Sequence, residues 1–291
     1  MHFNTRLVAA WLRGEARFPR TPKGQRLDLS KFQLTWSDEF DGDSLDRETW
    51  GGHFHGKGSF SQGAHRRRGG WWCLDAVRVR DGMLHIPTIY AEEGMFGCPP
   101  GYYTAGIDTS CSFRQKFGYF EARCRLPKGV GQWSAFWMFN ERVYEKDGAG
   151  RGGTEIDIYE SPYYRRRLPL FKNVVTSNLH YDGYGKAHRM RNVGRFRVKD
   201  PYDTFHTYGL EWSENEYIFY IDGVESGRSG FGGVSQNEQF LILSVEQAAN
   251  AGERLGWAGD FRRRKGRDMT DFVVDYVRAY QYKSLLQGEW I

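Results

Sequence analysis

The sequence predicts an all-β fold, a sandwich or barrel built from many short antiparallel strands. Three observations carry this. Aromatic residues make up 16% of the chain, with 10 Trp, 17 Tyr and 20 Phe, and they are accompanied by 36 Gly. Short patterned segments follow one another with Gly, Asp or Asn between them, and long helical patterns are scarce. Aromatic side chains suit a pleated, half-buried surface, and regularly spaced short strands with turn signals point to sandwiches and barrels. At 291 residues and 40% hydrophobic, the chain can bury a sizeable core; all-β sandwiches run to about 200–250 residues as one unit.

Residues 1–30 are basic and weakly patterned and read as an N-terminal extension, with VAAWLRG forming one or two helical turns. From residue 31 to 291 the chain reads as a single domain, without internal repeat or low-complexity linker. Segments 32–40, 83–90, 119–126, 134–140, 154–160, 173–181, 204–212, 217–223, 240–246 and 272–282 read as strands. Asp222-Gly223, between apolar runs, is a strong hairpin signal. Residues 142–153 (RVYEKDGAGRGG) form a polar, glycine-rich approach to the strand that follows.

Charge and cysteine content exclude several functions. The net charge is +5, from 41 basic and 36 acidic residues, and no basic helix or nucleic-acid motif accompanies it. No apolar run approaches the ~18 residues of a membrane helix. These features predict no nucleic-acid or membrane partner, and a monomer. Cys73, Cys98, Cys111 and Cys124 contain no CxxC pair, which argues against zinc. Cys111 and Cys124 could sit on neighbouring strands and pair; four free buried thiols fit the sequence equally well. The apolar stretch LVAAWL is too short for a typical secretory h-region of about 7–15 residues. That places the protein in the cytoplasm on sequence alone, or outside it if the chain is truncated.

The segment from Gly152 to Ser161, GGTEIDIYES, concentrates chemistry. In a strand successive side chains point to opposite faces. Glu155 and Asp157 then share one face, and Ile156 and Ile158 the other, where they can enter the core. Glu160 lies five positions from Glu155 and would point the wrong way in a regular strand. One extra residue in a β-bulge returns it to the acidic face, and bulges are over-represented beside active sites; a bulge is predicted at Ile158–Tyr159. Acids crowded on one face separate their pKa values, so that one stays ionised and another stays protonated. Retaining glycosidases need such a pair, a nucleophile and a protonated acid about 5–5.5 Å apart. Asp157, between them, is expected to hydrogen-bond Glu155 and tune both neighbours. A solvated acidic edge is the ordinary explanation of two acids two apart; the isoleucines, the glycine-rich approach and the third acid argue against it here.

The motif E-I-D-I-Y-E resembles the bulged E-x-D-x-x-E signature of glycoside hydrolase family 16. WSDEFDGDSLDRETW at 36–50, YFEARCRLPKGVGQWSAFWMF at 119–139, TFHTYGLEWSENEYIFYIDG at 204–223 and DFVVDYVRAYQ at 271–281 match the family in character, so the resemblance covers roughly residues 32–283. It implies a concanavalin A-like β-jelly-roll sandwich of two curved antiparallel sheets with substrate across the concave face. It implies Glu155 as nucleophile, Glu160 as general acid/base and Asp157 as their helper. It also implies Trp133 and Trp137 as sugar platforms and His180 on the adjacent strand near the acids. Catalysis then needs no cofactor.

Further candidates follow. Glu246 and Trp257 line the far end of the cleft in this reading, although the stretch around them departs from typical laminarin-cleaving members. Arg66–Arg68, Arg165–Arg167 and Arg262–Arg264 are ordinarily solvated charge; the sharper reading is recognition of an anionic sugar, because guanidinium forks suit sulfate or carboxylate, and Arg165 is the best placed. A structural calcium often accompanies the fold, with Glu39 and Asp275 as candidate ligands. His53 and His55 lack a third ligand and read as loop residues. The predicted function is endo-acting, retaining hydrolysis of a β-linked polysaccharide, with β-1,3-glucan first. The alternatives are a β-galactan (agar, a sulfated galactan or a host glycan) as substrate, and a non-catalytic carbohydrate-binding protein.

Overall fold

The structure, a computed structural model, describes residues 19–52, 65–67, 69–162, 173–247 and 269–288. The first of two large antiparallel sheets runs in the order Val224–Ser229, Tyr217–Ile221, His206–Trp212, Gly118–Arg125, Phe272–Tyr282, Met83–Ile86, Arg78–Arg80, and Phe32–Asp38 also pairs with Phe272–Tyr282. The second runs Arg189–Arg197, Val174–Tyr181, Glu155–Pro162, Gln132–Phe139, Phe240–Gln247, Gly106–Asp108. Neighbours in each sheet are often distant in sequence, as Gln132–Phe139 is beside Phe240–Gln247. The result is the β-jelly-roll sandwich expected from the sequence.

Period-two alternation builds the core. Phe120, Ala122 and Cys124 from the first sheet, and Phe136, Met138, Ile156, Ile158, Leu179, Leu241 and Leu243 from the second, belong to one buried cluster. Each large apolar side chain so buried contributes about 1.5–3 kcal/mol. The opposite face of the second sheet is thereby left for other work. The Asp222-Gly223 turn is as predicted: both residues have positive φ, 51° and 70°, and Ile221 pairs with Val224, the geometry of a type I′ hairpin.

The structure differs from the sequence reading in several places. Residues 83–90 are two strands in two sheets, Met83–Ile86 and Ile89–Ala91, because Pro87 between them has no N–H to donate to a ladder. Ile89–Ala91 belongs to a third, four-stranded sheet with His65–Arg67, Gly70–Trp72 and Gly101–Thr104. Residues 19–27 are part of the sandwich rather than outside it. Arg20 N–H donates to Arg195 O at 3.0 Å and Arg197 N–H to Arg20 O at 2.9 Å, while Gly24 and Glu225 exchange backbone bonds with Glu225 and Gln25 at 3.0 and 2.8 Å. The segment thus covers one edge of each large sheet, which blunts an otherwise exposed template for pairing.

The four cysteines are free. Cys124 is in the core and Cys111 is exposed, so the two cannot pair; Cys98 is half-buried, so the thiols are not uniformly buried either. Glu39 accepts hydrogen bonds from Arg278 Nε and Nη2 at 2.9 and 2.8 Å, and Asp275 is ion-paired with Arg123. These two acids do not fit a shared calcium, because each is already neutralised by its own guanidinium. Among the described residues no helix is long and apolar enough to cross a membrane.

Candidate active site

The strand Glu155–Pro162 is anchored at its start. The Thr154 hydroxyl donates to Gly150 O at 2.8 Å, and Gln239 Nε2 donates to Thr154 O at 2.8 Å. The strand then carries the expected bulge. Against Gln132–Phe139 the pairing runs Trp137 to Asp157 and then Phe136 to Tyr159, leaving Ile158 as the extra residue. Against Val174–Tyr181 it slips between Asp157 and Glu160. Ile156 and Ile158 are in the core at 0% and 2% exposure, and Glu155, Asp157 and Glu160 all line one cleft of about 270 Å³.

Each acid has its own partners. The Tyr184 hydroxyl donates to Glu155 Oε2. Asn178 Nδ2 donates to Glu160 Oε2. Asp157 is buried and hydrogen-bonded with Glu160 and Asn178, and His180 Nε2 lies 3.2 Å from its Oδ2. The expected Asp157–Glu155 hydrogen bond is absent: the bulge turns Asp157 toward Glu160, and it acts on Glu155 through charge. Burial is the largest influence on all three carboxyls. It pushes Glu155 up to about 8, helped by the Asp157 charge and opposed by His180 and the Tyr184 hydroxyl. It pushes Asp157 up to about 7 against its two hydrogen bonds. Glu160 goes well above the ordinary carboxylate range through burial and then the Asp157 charge. The cleft therefore holds a carboxylic acid that keeps its proton at neutral pH beside a carboxyl supplied with a donor for its anionic form.

The walls come from neighbouring strands. Trp133, Ala135 and Trp137 line the cleft from one side, with Ser244 and Glu246 beyond them, as the pairings Trp133 to Glu246 and Ala135 to Ser244 require. Trp137 Nε1 donates to Ser244 Oγ at 3.1 Å. The four-stranded sheet adds Arg67, whose guanidinium sits 4.4 Å from the Trp72 ring centroid and whose Nε donates to Glu246 Oε1 at 3.1 Å. Trp72 is itself fixed by its Nε1 bond to Val245 O at 2.8 Å.

Glu155, Asp157, Glu160, Trp133, Trp137, His180 and Glu246 are thus brought to one place. Trp257, Arg165–Arg167, Arg262–Arg264, His53 and His55 lie outside the described residues. Sequence reasoning missed Tyr184, Asn178 and Ser244, whereas Arg67 belongs to the Arg66–Arg68 run weighed above for an anionic sugar. Asn178 was findable, since it is two positions from His180 and shares its face; Tyr184 sits in a turn with no period to read. Among the described residues Glu155, Asp157 and His180 are the group of ligand atoms within 4.8 Å of one another.

Comparison with known proteins locates this arrangement. The profile described as beta-porphyranase A–D, GH16 domain, matches residues 32–282. The chain is 26% identical to the endo-1,3-1,4-beta-glycanase ExsH of Rhizobium meliloti over 91% of its own length, and spans 54% of that protein. It is 28% identical to a beta-glucanase of Rhodothermus marinus, covering 86% of each. Its structure superposes on the catalytic domain of an endo-1,3-beta-glucanase (laminarinase) from Thermotoga petrophila with a TM-score of 0.63 at 28% identity, covering 87% of this chain and 98% of that one.

Proposed function

The chain belongs to glycoside hydrolase family 16, and on that premise we propose that it is an endo-acting, retaining β-glycanase in which Glu155 is the nucleophile and Glu160 the general acid/base. The observation that carries the reading is the bulged strand that turns three acids into one cleft, with the Glu160 carboxyl held protonated. In the first step a Glu155 oxygen attacks the anomeric carbon, the glycosidic C–O bond breaks, and Glu160 gives its proton to the departing oxygen. The product is a covalent glycosyl-enzyme. In the second step Glu160, now a carboxylate, takes a proton from water as the water oxygen attacks the same carbon and releases Glu155. Asp157 holds Glu160 and, as an anion beside it, favours its protonated form between turnovers. Trp133 and Trp137 offer faces on which pyranose rings stack. These groups supply the whole reaction, so catalysis draws on no cofactor. The covered edges of both sheets support a monomer.

For substrate we place a β-1,3-glucan first, because the relatives are named as an endo-1,3-1,4-beta-glycanase and a beta-glucanase, and the superposing structure as an endo-1,3-beta-glucanase (laminarinase). A second reading, a sulfated β-galactan, is favoured by Arg67 in the cleft and by the porphyranase description of the matching profile. Release of reducing ends from laminarin, lichenan, agarose and porphyran decides between them. Rapid shortening of laminarin by the wild type, and none by Glu155→Gln, is the expected result. Preference for porphyran would move the substrate to the second reading. Binding without release on all four would make the protein a carbohydrate-binding module and overturn the proposal.

A further inference from the structure

We infer that Tyr144 and Tyr184 form a further sugar-binding subsite at the Glu155 end of the cleft, an aromatic platform that takes a pyranose ring of the polysaccharide beyond the reacting one. That the ligand is a glycan rests on the proposed hydrolase activity; the ordered aromatic patch does not.

Six large hydrophobic side chains are exposed among the described residues, and three of them, Tyr144, Tyr184 and Met190, lie at this end of the cleft. Tyr144 and Tyr184 are 45% and 46% exposed, and their rings meet at 72° with centroids 5.8 Å apart. Tyr184 lines the cleft and donates its hydroxyl to Glu155 Oε2. Met190 pairs with His180 across the strands, and opposite residues share a sheet face, so it borders the same surface. Scattered exposed hydrophobic residues are ordinary, whereas a contiguous apolar patch marks a ligand or partner site.

Both tyrosines are held in place. Glu141–Tyr144 form one 3-10 turn capped by Asn140, whose Oδ1 accepts from Arg142 N–H at 2.8 Å and whose Nδ2 donates to Glu238 O at 2.6 Å. Val143 is fully buried and pins that turn. The Tyr144 ring packs at 66° against Phe139, centroids 6.0 Å apart, and Phe139 meets Trp137 at 6.0 Å. The patch is thus continuous with the aromatic wall of the cleft. The turn that bears Tyr184 is tied to the 3-10 turn by Gly183 N–H donating to Val143 O at 2.6 Å. It is tied to the following loop by Gly148 N–H donating to Asp182 Oδ1 at 3.1 Å. Rings ordered before binding lose little freedom when a ligand stacks on them.

The surroundings point to a sugar in the cleft as the occupant. Burial, and then the Glu155 charge, raise the Tyr144 hydroxyl, and the Arg67 charge opposes them. Tyr144 therefore senses two charged groups that line the cleft. Trp133 stands toward the other end. It pairs with Pro162, while Met138, five positions on, pairs with Ile156 beside Glu155. At ~3.3 Å per residue that separates their backbones by about 16 Å, longer than one pyranose ring, so Trp133 and the tyrosines serve different rings of a chain. A tyrosine offers an apolar face to a sugar's C–H face and a polar tip to its hydroxyls.

The test measures binding apart from cleavage. Laminarin and porphyran oligosaccharides of increasing length are titrated calorimetrically into Glu160→Gln, alone and combined with Tyr144→Ala or Tyr144→Phe, at a temperature where every variant is folded. We expect Glu160→Gln to bind one of the two series, with a step in affinity once the chain is long enough to reach the tyrosines. Tyr144→Ala should remove that step. It should weaken the longest oligosaccharides about 5–20-fold, the scale of an aromatic face no longer half-covered, and leave the shortest unchanged. Tyr144→Phe keeps the ring and should keep the step. Unchanged binding by Tyr144→Ala at every length overturns the inference, and so does an equal loss at every length, or a Phe variant as weak as the Ala variant. Binding of neither series overturns it as well. Reducing-end release by the enzyme with Glu160 intact is read separately: the length step without any release would refute the hydrolase reading and uphold the subsite.

Discussion

Removing the Tyr184 hydroxyl should move the pH dependence of hydrolysis by about one unit. Tyr184 lies in the turn between Val174–Tyr181 and Arg189–Arg197, is 46% exposed, and packs edge-on against Tyr144 at 5.8 Å. Tyr184→Phe keeps the ring and deletes the donor to Glu155 Oε2. A hydrogen bond to a charged group contributes about 1.5–3 kcal/mol, and the half-exposed position argues for the lower end. At 1.36 kcal/mol per unit, that is roughly one pKa unit. The hydroxyl favours the ionised carboxyl, so its loss raises Glu155 further above the value near 8 to which burial already pushes it. As the proposed nucleophile, Glu155 would attack only when ionised, so activity is expected to fall as pH drops through its pKa. The acidic limb of kcat/KM should therefore shift about one unit upward, with a roughly tenfold loss below the limb and little change on the plateau. The assay is kcat/KM against pH on a soluble β-glucan oligosaccharide. A Tyr184→Phe enzyme with an unmoved acidic limb would refute the assignment of that limb to Glu155.

Three further outcomes follow from the packing and the charges. Glu160 is raised in the folded state, so its contribution to stability is fully present below its ordinary pKa near 4.5 and is lost as pH rises toward the folded value; the melting temperature of Glu160→Gln relative to wild type should climb between pH 5 and 8, and parallel curves by calorimetry would contradict this. A Cβ on Gly106 would lie 2.6 Å from the Trp72 ring, so Gly106→Ala should cost about 1–3 kcal/mol and disturb the Arg67–Glu246 wall, both read by thermal melting and kcat/KM; an unchanged melt would refute the close fit. Exposed Cys111 should react first with a thiol reagent in the native protein, and buried Cys73 and Cys124 only after denaturation; early loss of Cys124 would mean that the core opens locally.

The acidic strand was legible because two periodicities conflict within six residues. Ile156 and Ile158 claim the core face, and Glu160 can join Glu155 only if one residue is skipped. The hairpin at Asp222-Gly223 was legible because only that chemistry tolerates two positive φ values in succession. Arg189–Arg197 was not seen, since an edge strand buries little, here chiefly Val193 and Phe196, and four arginines dilute its pattern. The third sheet was missed for a related reason: its strands are three or four residues long, too short for alternation to register, yet it delivers Arg67. Tyr184 reaches Glu155 from a turn, a contact that spacing along the chain does not encode. Buried acids alone do not mark a site either. Glu121 and Glu211 are buried in the sandwich and satisfied by Tyr119 and Tyr280, and by Tyr220 and Tyr282; what distinguishes Glu155 and Glu160 is a shared cleft.

The central claim is that Glu155 forms a covalent bond to sugar. A 2-fluoro-substituted β-glucosyl oligosaccharide with a good leaving group slows both steps but retains the leaving group's advantage in the first, so the intermediate accumulates. Intact mass should then rise by one glycosyl unit, and peptide mapping should place the label on the carboxyl of Glu155, with Glu160→Gln still trapping it. A label on Asp157 or Glu160, or turnover of natural substrate to the inverted anomer with no covalent species, would contradict the account.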